Sequence, residues 1–478
     1  MRTGIATLWV LALAGGCALG PDYEAPEIHS PAEFRLAVPA EQAQSLADLP
    51  WWEVFEDPAL QRLISRAVEG NYDIRAAAAR VRQSSAFVGV ARSELLPQVG
   101  YDGNGTRQSS VIVPPLPPQT FNLFTGAFNL AWEIDLWGRI RRATEAAEAQ
   151  LLATEEAQRG ILLSLVSSVA EAYFRLIELD AEIEIARSTV VSFEKSLDLF
   201  TRRFQGGVGS DLAVARAQAS LANVQAQIPA LQSEVVATEN EISLLLGRNP
   251  SEIDRGMKLS EQRTLPVVPA GLPSELLSRR PDLRQAEDQV RAANAEIGVS
   301  VANFFPRIGL SSLYGASSTE LSDMLNGTFG VWGIAASVSG PIFTGGRNYE
   351  QYQLQIAAWE AEVALYEQTV LRAFAEVSSV LTAQHNLLEQ RKKVQVEVDA
   401  LRRSVELSFL RYEIGLANYF EVLQAQQELF PAQIALARVE REQLVSVALL
   451  YRVLGGGWEL KTEDWQWPRP TPTAAPGS

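Results

Sequence analysis

The chain has 478 residues, of which 47% are hydrophobic and 21% are charged, a composition typical of a folded protein rather than a disordered one. Its formal net charge of −16 argues against nucleic acid and against anionic lipid headgroups as partners. It contains one cysteine and two histidines, and it lacks GxSxG, Walker-loop, HExxH and CxxC motifs. The sequence therefore predicts a protein that is not an enzyme and that needs neither a metal ion nor a cofactor.

Residues 1–16 are typical of a short secretory signal, in which Arg2 precedes an apolar run from residue 5 to residue 14. That run is too short to span a bilayer, which needs about 20 apolar residues. The signal ends in Ala14-Gly15-Gly16-Cys17, which is similar to a bacterial lipobox although Ala14 replaces the usual branched residue. The alternative is an incidental cysteine near an ordinary cleavage site. Because the only cysteine falls here, we expect Cys17 to carry lipid at the start of an extended segment, 17–57.

The chain contains an internal repeat. Residues 75–100 match residues 284–309 without a gap at an offset of 209, and an offset of 208 aligns further Gly-Arg, Arg-aromatic and Leu-Gly pairs. The sequence therefore predicts a tandem duplication. We place repeat 1 at 58–250, an equatorial linker at 251–275, repeat 2 at 276–458 and a Pro-rich tail at 459–478.

Each copy has the same predicted order: a helix, two strands, a very long helix, a turn and a return helix. In copy one the helices are expected at about 63–95, 138–204 and 211–246, and Pro229 predicts a kink in the last of them. Apolar residues recur at heptad spacing from Leu162 to Phe204, which predicts packing against partner helices. At 1.5 Å per residue the long helix measures about 100 Å. The other two helices of the copy have about the same combined length when they are stacked end to end. These lengths predict a cylinder wall of paired helices.

The segment between the first and the long helix alternates between apolar and polar residues, which is typical of a strand with two different faces. A soluble hairpin packed on its core by one face is the alternative, but the signal and lipobox favour a membrane strand. Partner strands are expected at about 97–107 and 306–316. Four strands cannot close a barrel, and an open edge is not tolerated in lipid. Three copies give twelve strands and leave a lumen, whereas two give eight and a filled interior. The predicted lipid-facing residues are Phe124, Phe128, Leu130 and Trp132 in copy one, and Trp332 and Ile334 in copy two.

Over nearly its whole length the sequence resembles the TolC-type outer-membrane efflux proteins, and most of all their OprM/NodT-like lipoprotein branch. The resemblance implies a mainly α, α+β protomer of a homotrimer in the outer membrane of a Gram-negative bacterium. Its twelve-stranded β-barrel would continue into a long periplasmic α-helical barrel. The motifs that carry the resemblance are Cys17-Ala18-Leu19-Gly20-Pro21-Asp22-Tyr23, Trp51-Trp52 with Asp57-Pro58, Arg279-Arg280-Pro281-Asp282, Phe304-Phe305-Pro306, Pro341-Ile342-Phe343-Thr344-Gly345-Gly346-Arg347 and Arg411-Tyr412 with Gly415.

The resemblance also implies sites at the far end of the long helices. The two turns would be tips that contact a periplasmic adaptor protein, while Asp211 and Asn418 could cap the return helices, so plain helix punctuation is the alternative. The periplasmic aperture would fall on Glu421 and Gln424, with Phe420 and Gln427 beside them. The alternative for Glu421 is a solvated glutamate near a helix N-terminus. The predicted tip residues are Gly206, Gly207, Val208, Gly209, Gly415, Leu416 and Ala417.

The expected function is the outer-membrane channel of a tripartite efflux system, in which an RND pump and an adaptor deliver drugs or other toxic small molecules. One alternative is a duct for metal ions or for type I protein export. Another is a lipid-anchored periplasmic coiled coil that spaces envelope layers, although it gives the alternating strands no purpose.

Overall fold

The computed structural model describes residues 18–28, 30–31, 49–110, 119–262, 276–325 and 330–457. The predicted signal, Cys17 and the Pro-rich tail lie outside these residues. The N-terminal segment contains α1 (Trp51–Val54). Copy one contains α2 (Pro58–Gly70), α3 (Tyr72–Ser93), β1 (Gln98–Ser110), β2 (Gln119–Ile134), α4 (Arg139–Gln205) and α5 (Asp211–Leu245). Copy two contains α6 (Leu276–Arg279), α7 (Pro281–Ala302), β3 (Arg307–Ser318), α8 (Leu321–Leu325), β4 (Gly330–Ser339), α9 (Arg347–Glu413) and α10 (Tyr419–Val453).

The two copies follow the predicted order of elements with nearly the same dimensions, apart from the short helix α8 between β3 and β4, which was not predicted. The long helices α4 and α9 each have 67 residues, and the return helices α5 and α10 each have 35. Each return helix contains one proline, Pro229 in α5 and Pro431 in α10. The predicted bounds of the long and return helices of copy one are therefore correct to within one residue.

The first helix of copy one was predicted wrongly as one unbroken segment. It is divided into α2 and α3 at Asn71, whose side-chain oxygen accepts hydrogen bonds from the backbone of Asp73 and Ile74 at 2.8 and 3.2 Å. The amide nitrogen of Asn71 donates to the carbonyl of Leu245 at 2.9 Å. A buried Asn that caps one helix and binds the end of another favours a break there.

Two smaller predictions also need correction. Ser210 rather than Asp211 caps α5, because its hydroxyl accepts from the backbone of Leu212. Asn418 caps α10 as predicted, through Phe420 and Glu421. The partner strands β1 and β3 run to Ser110 and Ser318, beyond their predicted ends at about 107 and 316.

The four strands of the described residues form one antiparallel sheet in the order β1-β2-β3-β4. The register places Tyr101 opposite Phe128, Phe128 opposite Tyr314, and Tyr314 opposite Trp332. Directly opposed residues point to the same face of a sheet. One face therefore carries an unbroken row of four aromatic side chains, one from each strand.

The chain divides into two compact units. One, called here the strand-bearing unit, comprises residues 1–28, 79–155 and 285–368. The other, called the turn-bearing unit, comprises residues 29–78, 156–284 and 369–478. Both long helices contribute residues to each unit.

The heptad prediction is confirmed for most of α4 in the turn-bearing unit. Leu162, Val169, Leu176, Phe193 and Phe200 are all buried, as the predicted stripe requires, whereas Phe204 at its end is 44% exposed. Within the described residues α4 is the one helix long and apolar enough to cross a membrane, but most of its apolar stretch is buried inside the protein. That burial is typical of a core helix.

Candidate functional site

The sheet has one apolar face and one polar face. The register brings all six predicted lipid-facing residues onto the apolar face. Phe124, Phe128, Leu130 and Trp132 occupy alternate positions of β2, and the row through Phe128 reaches Trp332, two residues from Ile334 in β4. The opposite face carries Asp102, Asn129, Glu133, Ser311 and Ser337, and Asn129 donates to Asp102 at 3.4 Å.

Several large side chains on the apolar face are exposed among the residues that the structure describes. Tyr101, Phe128, Tyr314, Trp332 and Ile334 are between 64% and 85% exposed. Monomeric soluble proteins rarely expose so large a continuous apolar patch. The face therefore requires an apolar surrounding that the described residues do not supply.

Both predicted tips are exposed glycine turns. Gly207 and Gly415 have φ values of 75° and 80°, a conformation that favours glycine. Val208 and Leu416 follow these glycines and are 78% and 69% exposed. Equivalent positions of the two copies thus present one apolar side chain each to solvent.

Contacts beneath the turns hold the two copies together. The guanidinium of Arg203 lies 4.4 Å from the ring centroid of Tyr412 and donates to the carbonyl of Glu413 at 3.1 Å. Phe200, Ala213, Ala217, Tyr412 and Val422 form a buried cluster from four helices. The turn of copy one and the turn of copy two are therefore parts of one packed end.

The predicted aperture residues share the exposed stripe of α10. Phe420, Glu421, Gln424 and Gln427 are exposed, while the intervening Val422, Leu423, Ala425 and Gln426 are buried. Glu421 is not isolated, because its carboxylate lies 3.6 Å from the guanidinium of Arg411. Gln424 donates to Glu428 at 3.0 Å.

Glu428 is a second carboxylate on this stripe that was not predicted from the sequence. It lies four residues beyond Gln424, a spacing that places both on one helix face and could have revealed it.

Buried polar contacts join α10 to its neighbours just behind the stripe. The amide group of Gln426, 3% exposed, donates to the hydroxyl of Ser192 at 2.7 Å and accepts from that of Ser196 at 2.9 Å. On the stripe itself, Gln427 donates to Ser220 at 2.8 Å. These contacts were not predicted from the sequence, because glutamine and serine interrupt the apolar heptad and resemble solvent-facing residues.

The segment that follows Cys17 is bound along the strand-bearing unit. Leu19 donates its backbone N–H to the carbonyl of Trp137 at 3.1 Å. The buried guanidinium of Arg142 donates to the carbonyl of Leu19 at 3.1 Å and pairs with Asp22 at 2.9 Å. Next to these contacts, Gly20 and Gly298 approach so closely that a Cβ on Gly20 would lie 2.5 Å from the Cα of Gly298.

No group of three or more His, Cys, Asp or Glu side chains suited to a metal ion occurs among the residues that the structure describes. The features assembled above are surfaces, turns and a helix stripe, and they suit passage or docking rather than bond chemistry.

The model of one family, outer membrane efflux protein, matches the chain twice, at residues 63–248 and 272–456. The chain belongs to the outer membrane efflux protein family. The two matches fall on the two copies of the internal repeat. Family membership confirms the expected outer-membrane location and the fold class of a trimeric channel protomer, and members are channels rather than enzymes.

Relatives cover almost the whole chain. The antibiotic efflux pump outer membrane protein ArpC of Pseudomonas putida is 34% identical, with 97% of each chain covered. The cation efflux system protein CusC of Escherichia coli is 31% identical and covers 94% of this chain and 97% of its own. The crystal structure of the open state of the outer membrane channel MtrE of Neisseria gonorrhoeae has a TM-score of 0.84 at 29% identity, covering 92% of this chain and 99% of that one.

Proposed function

We propose that the chain is the outer-membrane duct of a tripartite efflux system served by a periplasmic adaptor and a proton-driven RND pump. Three copies would form a duct that carries toxic small molecules out of the cell, while the pump supplies the energy. The observation that carries this proposal is the two-faced, four-stranded sheet.

Closure of the sheet by other copies supports the trimer. The outer edges of β1 and β4 have no strand partner among the described residues, and unpaired strand edges are not tolerated in lipid. Twelve strands from three copies enclose a water-filled lumen, whereas eight leave an interior filled by side chains. In this arrangement the aromatic row faces lipid and Asn129 faces the lumen.

The exposed turns are proposed as the adaptor contacts. Val208 and Leu416 stand at the ends of α4 and α9, on glycine turns with room around them. Docking of an adaptor on this end would cover both side chains. With three protomers, six such turns would form the docking ring.

The exposed stripe of α10 is proposed to line the aperture. Three Glu421 carboxylates around a threefold axis would attract cations and repel anions. We therefore expect Glu421→Gln to lower cation selectivity in planar bilayers and to weaken block by divalent cations, while Gln424→Asp strengthens both.

Glu194→Gln, which removes an exposed carboxylate from α4, is the control and should leave selectivity unchanged. Unaltered selectivity in both aperture variants would place the constriction elsewhere.

Cys17 is proposed to carry the lipid anchor. Arg142 binds Leu19 and Asp22, and Leu19 also binds Trp137. These contacts hold the residues that follow Cys17 beside Trp137, which lies three residues after the end of β2. A lipid attached at Cys17 would thus start near the membrane surface. Cys17→Ser should abolish labelling by radioactive palmitate, and labelling that persists in this variant would contradict the assignment.

Deletion of the gene, in a strain that lacks other outer-membrane efflux channels, tests the cargo. If the chain serves a multidrug pump, sensitivity should rise several-fold to unrelated drugs, dyes and detergents. Metal-ion export is the second candidate, because one relative is named as part of a cation efflux system. Sensitivity to one metal alone would favour that candidate and contradict the multidrug proposal.

A further inference from the structure

A groove of about 520 Å³ lies among α3, α4, α7 and α9 in the strand-bearing unit. Five of the residues that line it, called here its floor, have small side chains: Ala143, Ala146, Ala147, Ala292 and Ala293. Its volume lies within the usual range of ligand pockets. These small side chains leave space for an apolar molecule.

The charges in the groove are mostly negative. Glu94, Glu296 and Glu362 line it together with one cation, Arg139. The guanidinium of Arg139 is already engaged, at 3.0 Å by Glu133 and at 3.4 Å by Glu94. Glu296 and Glu362 therefore lack a cationic partner among the residues that line the groove.

Glu296 is the least compensated of these carboxylates. Burial alone raises its pKa, and no salt bridge to it forms among the described residues. A partly buried carboxylate without a counter-charge is stabilised by any cation that enters. Phe87 also lines the groove, and aromatic rings attract cations.

The groove and the N-terminal segment lie on opposite faces of α7. The groove is lined by Gln289, Ala293 and Glu296, whereas the segment contacts Asn294 and Gly298. At 100° per residue these two sets are about 180° apart. The segment begins at the residue proposed to carry lipid, which lies outside a barrel. In the proposed trimer the groove would therefore face the interior of the duct.

A second observation gives the same orientation. Glu94 and Arg139 also line a neighbouring cavity that reaches Ala131, Glu133 and Ser311 of the sheet. Those three residues belong to the polar face that carries Asn129. Most of the strand residues that line this cavity belong to the polar face, although Trp132 and Leu310 of the apolar face also line it.

We propose that this groove is a binding site for lipophilic organic cations in transit through the duct, with Glu296 as the charge that selects them. The inference rests on the proposed function, since it names a class of cargo for the same conduit. Alanines accept the apolar body, Phe87 its aromatic surface and Glu296 its positive charge.

Fluorescence anisotropy of rhodamine 6G on the purified trimer in detergent tests the proposal, with neutral Nile red as the second probe. Glu296→Gln should raise the Kd for rhodamine 6G about tenfold, which corresponds to about 1.4 kcal/mol, and leave that for Nile red unchanged. Ala293→Leu fills the floor and should weaken both dyes. Glu360→Gln, two residues from Glu362 and on another face of α9, should change neither.

Equal rhodamine 6G affinity in the wild type and in Glu296→Gln overturns the proposal. A second result would also overturn it: the wild-type trimer binds no dye, and Glu296→Gln lowers the resistance of the trimer to dissociation on gels. That combination would mean that a second copy covers the groove. Trimers that conduct ions in planar bilayers but bind no dye leave the proposed channel standing. Absent conductance would instead contradict the proposed function itself.

Discussion

Phe128→Arg should leave almost no trimer in the outer membrane, while Asn129→Arg, one residue along the same strand, should be tolerated. Phe128 lies in the inner part of β2 on the apolar face, and its side chain is 64% exposed in the single chain. An arginine against acyl chains near the bilayer midplane costs about 2–4 kcal/mol. Three copies in a trimer multiply that cost to roughly 6–12 kcal/mol if the sites are independent.

The contrast between neighbouring residues makes the prediction specific. Asn129 points to the polar face, next to Asp102, so an arginine there meets water and a carboxylate. Trp332→Arg, at the far end of the aromatic row, should repeat the Phe128→Arg defect. The measurement is the heat-modifiable trimer band in outer-membrane fractions. Equal amounts of trimer in all three variants would mean that the assignment of the two faces is wrong.

The features that the sequence predicted well are those with a period. The heptad in α4 repeats over six heptads, and the alternation in β2 runs from Phe124 to Ile134, so single exceptions do not hide them. The duplication helped, because a turn recognised at Gly207 was recognised again at Gly415. The lengths of the long and return helices followed directly from these landmarks.

Features that depend on contacts between distant segments could not be predicted in this way. The break at Asn71 is held by Leu245, 174 residues away, and the local signals of a helix end and an N-cap at Gly70 and Asn71 were not recognised within the helical pattern. The amide group of Gln426 is buried because Ser192 and Ser196 lie opposite it on another helix. The groove around Glu296 likewise needs four helices to come together, and no periodicity in one of them reveals it.

The sequence marked Asp57 only as part of a motif. In the structure its carboxylate accepts four hydrogen bonds. It is 1% exposed and accepts hydrogen bonds from Tyr173 at 2.7 Å, Gln262 at 2.7 Å, and the backbone of Ala59 at 2.8 Å and Met257 at 3.0 Å. These contacts join the N-terminal segment, α4 and the linker after α5. Burial by itself would raise the pKa of Asp57, but the hydrogen bonds outweigh it and hold the pKa below its usual value.

Asp57→Ala should therefore destabilise the protein by about 3–5 kcal/mol at pH 7, because four donors lose their buried acceptor. Tyr173→Phe should cost less, about 1–2 kcal/mol, since it removes one donor and the acceptor of the Gly256 N–H. Thermal unfolding followed by circular dichroism measures both. Glu53→Gln, which alters an exposed carboxylate in α1, is the control and should change stability by less than about 0.5 kcal/mol.

The dependence on pH separates the charge of Asp57 from its packing. A carboxyl group whose folded pKa lies below its unfolded value of about 3.9 stabilises the protein fully above that value. The stabilisation is lost as the pH falls through the folded pKa, when the native carboxylate takes up a proton. The stability gap between the wild type and Asp57→Asn should thus be constant from pH 7 to about pH 5 and shrink below pH 4. A gap that stays the same at pH 3 would show that the Asp57 carboxylate is not held ionised by Tyr173 and its other donors.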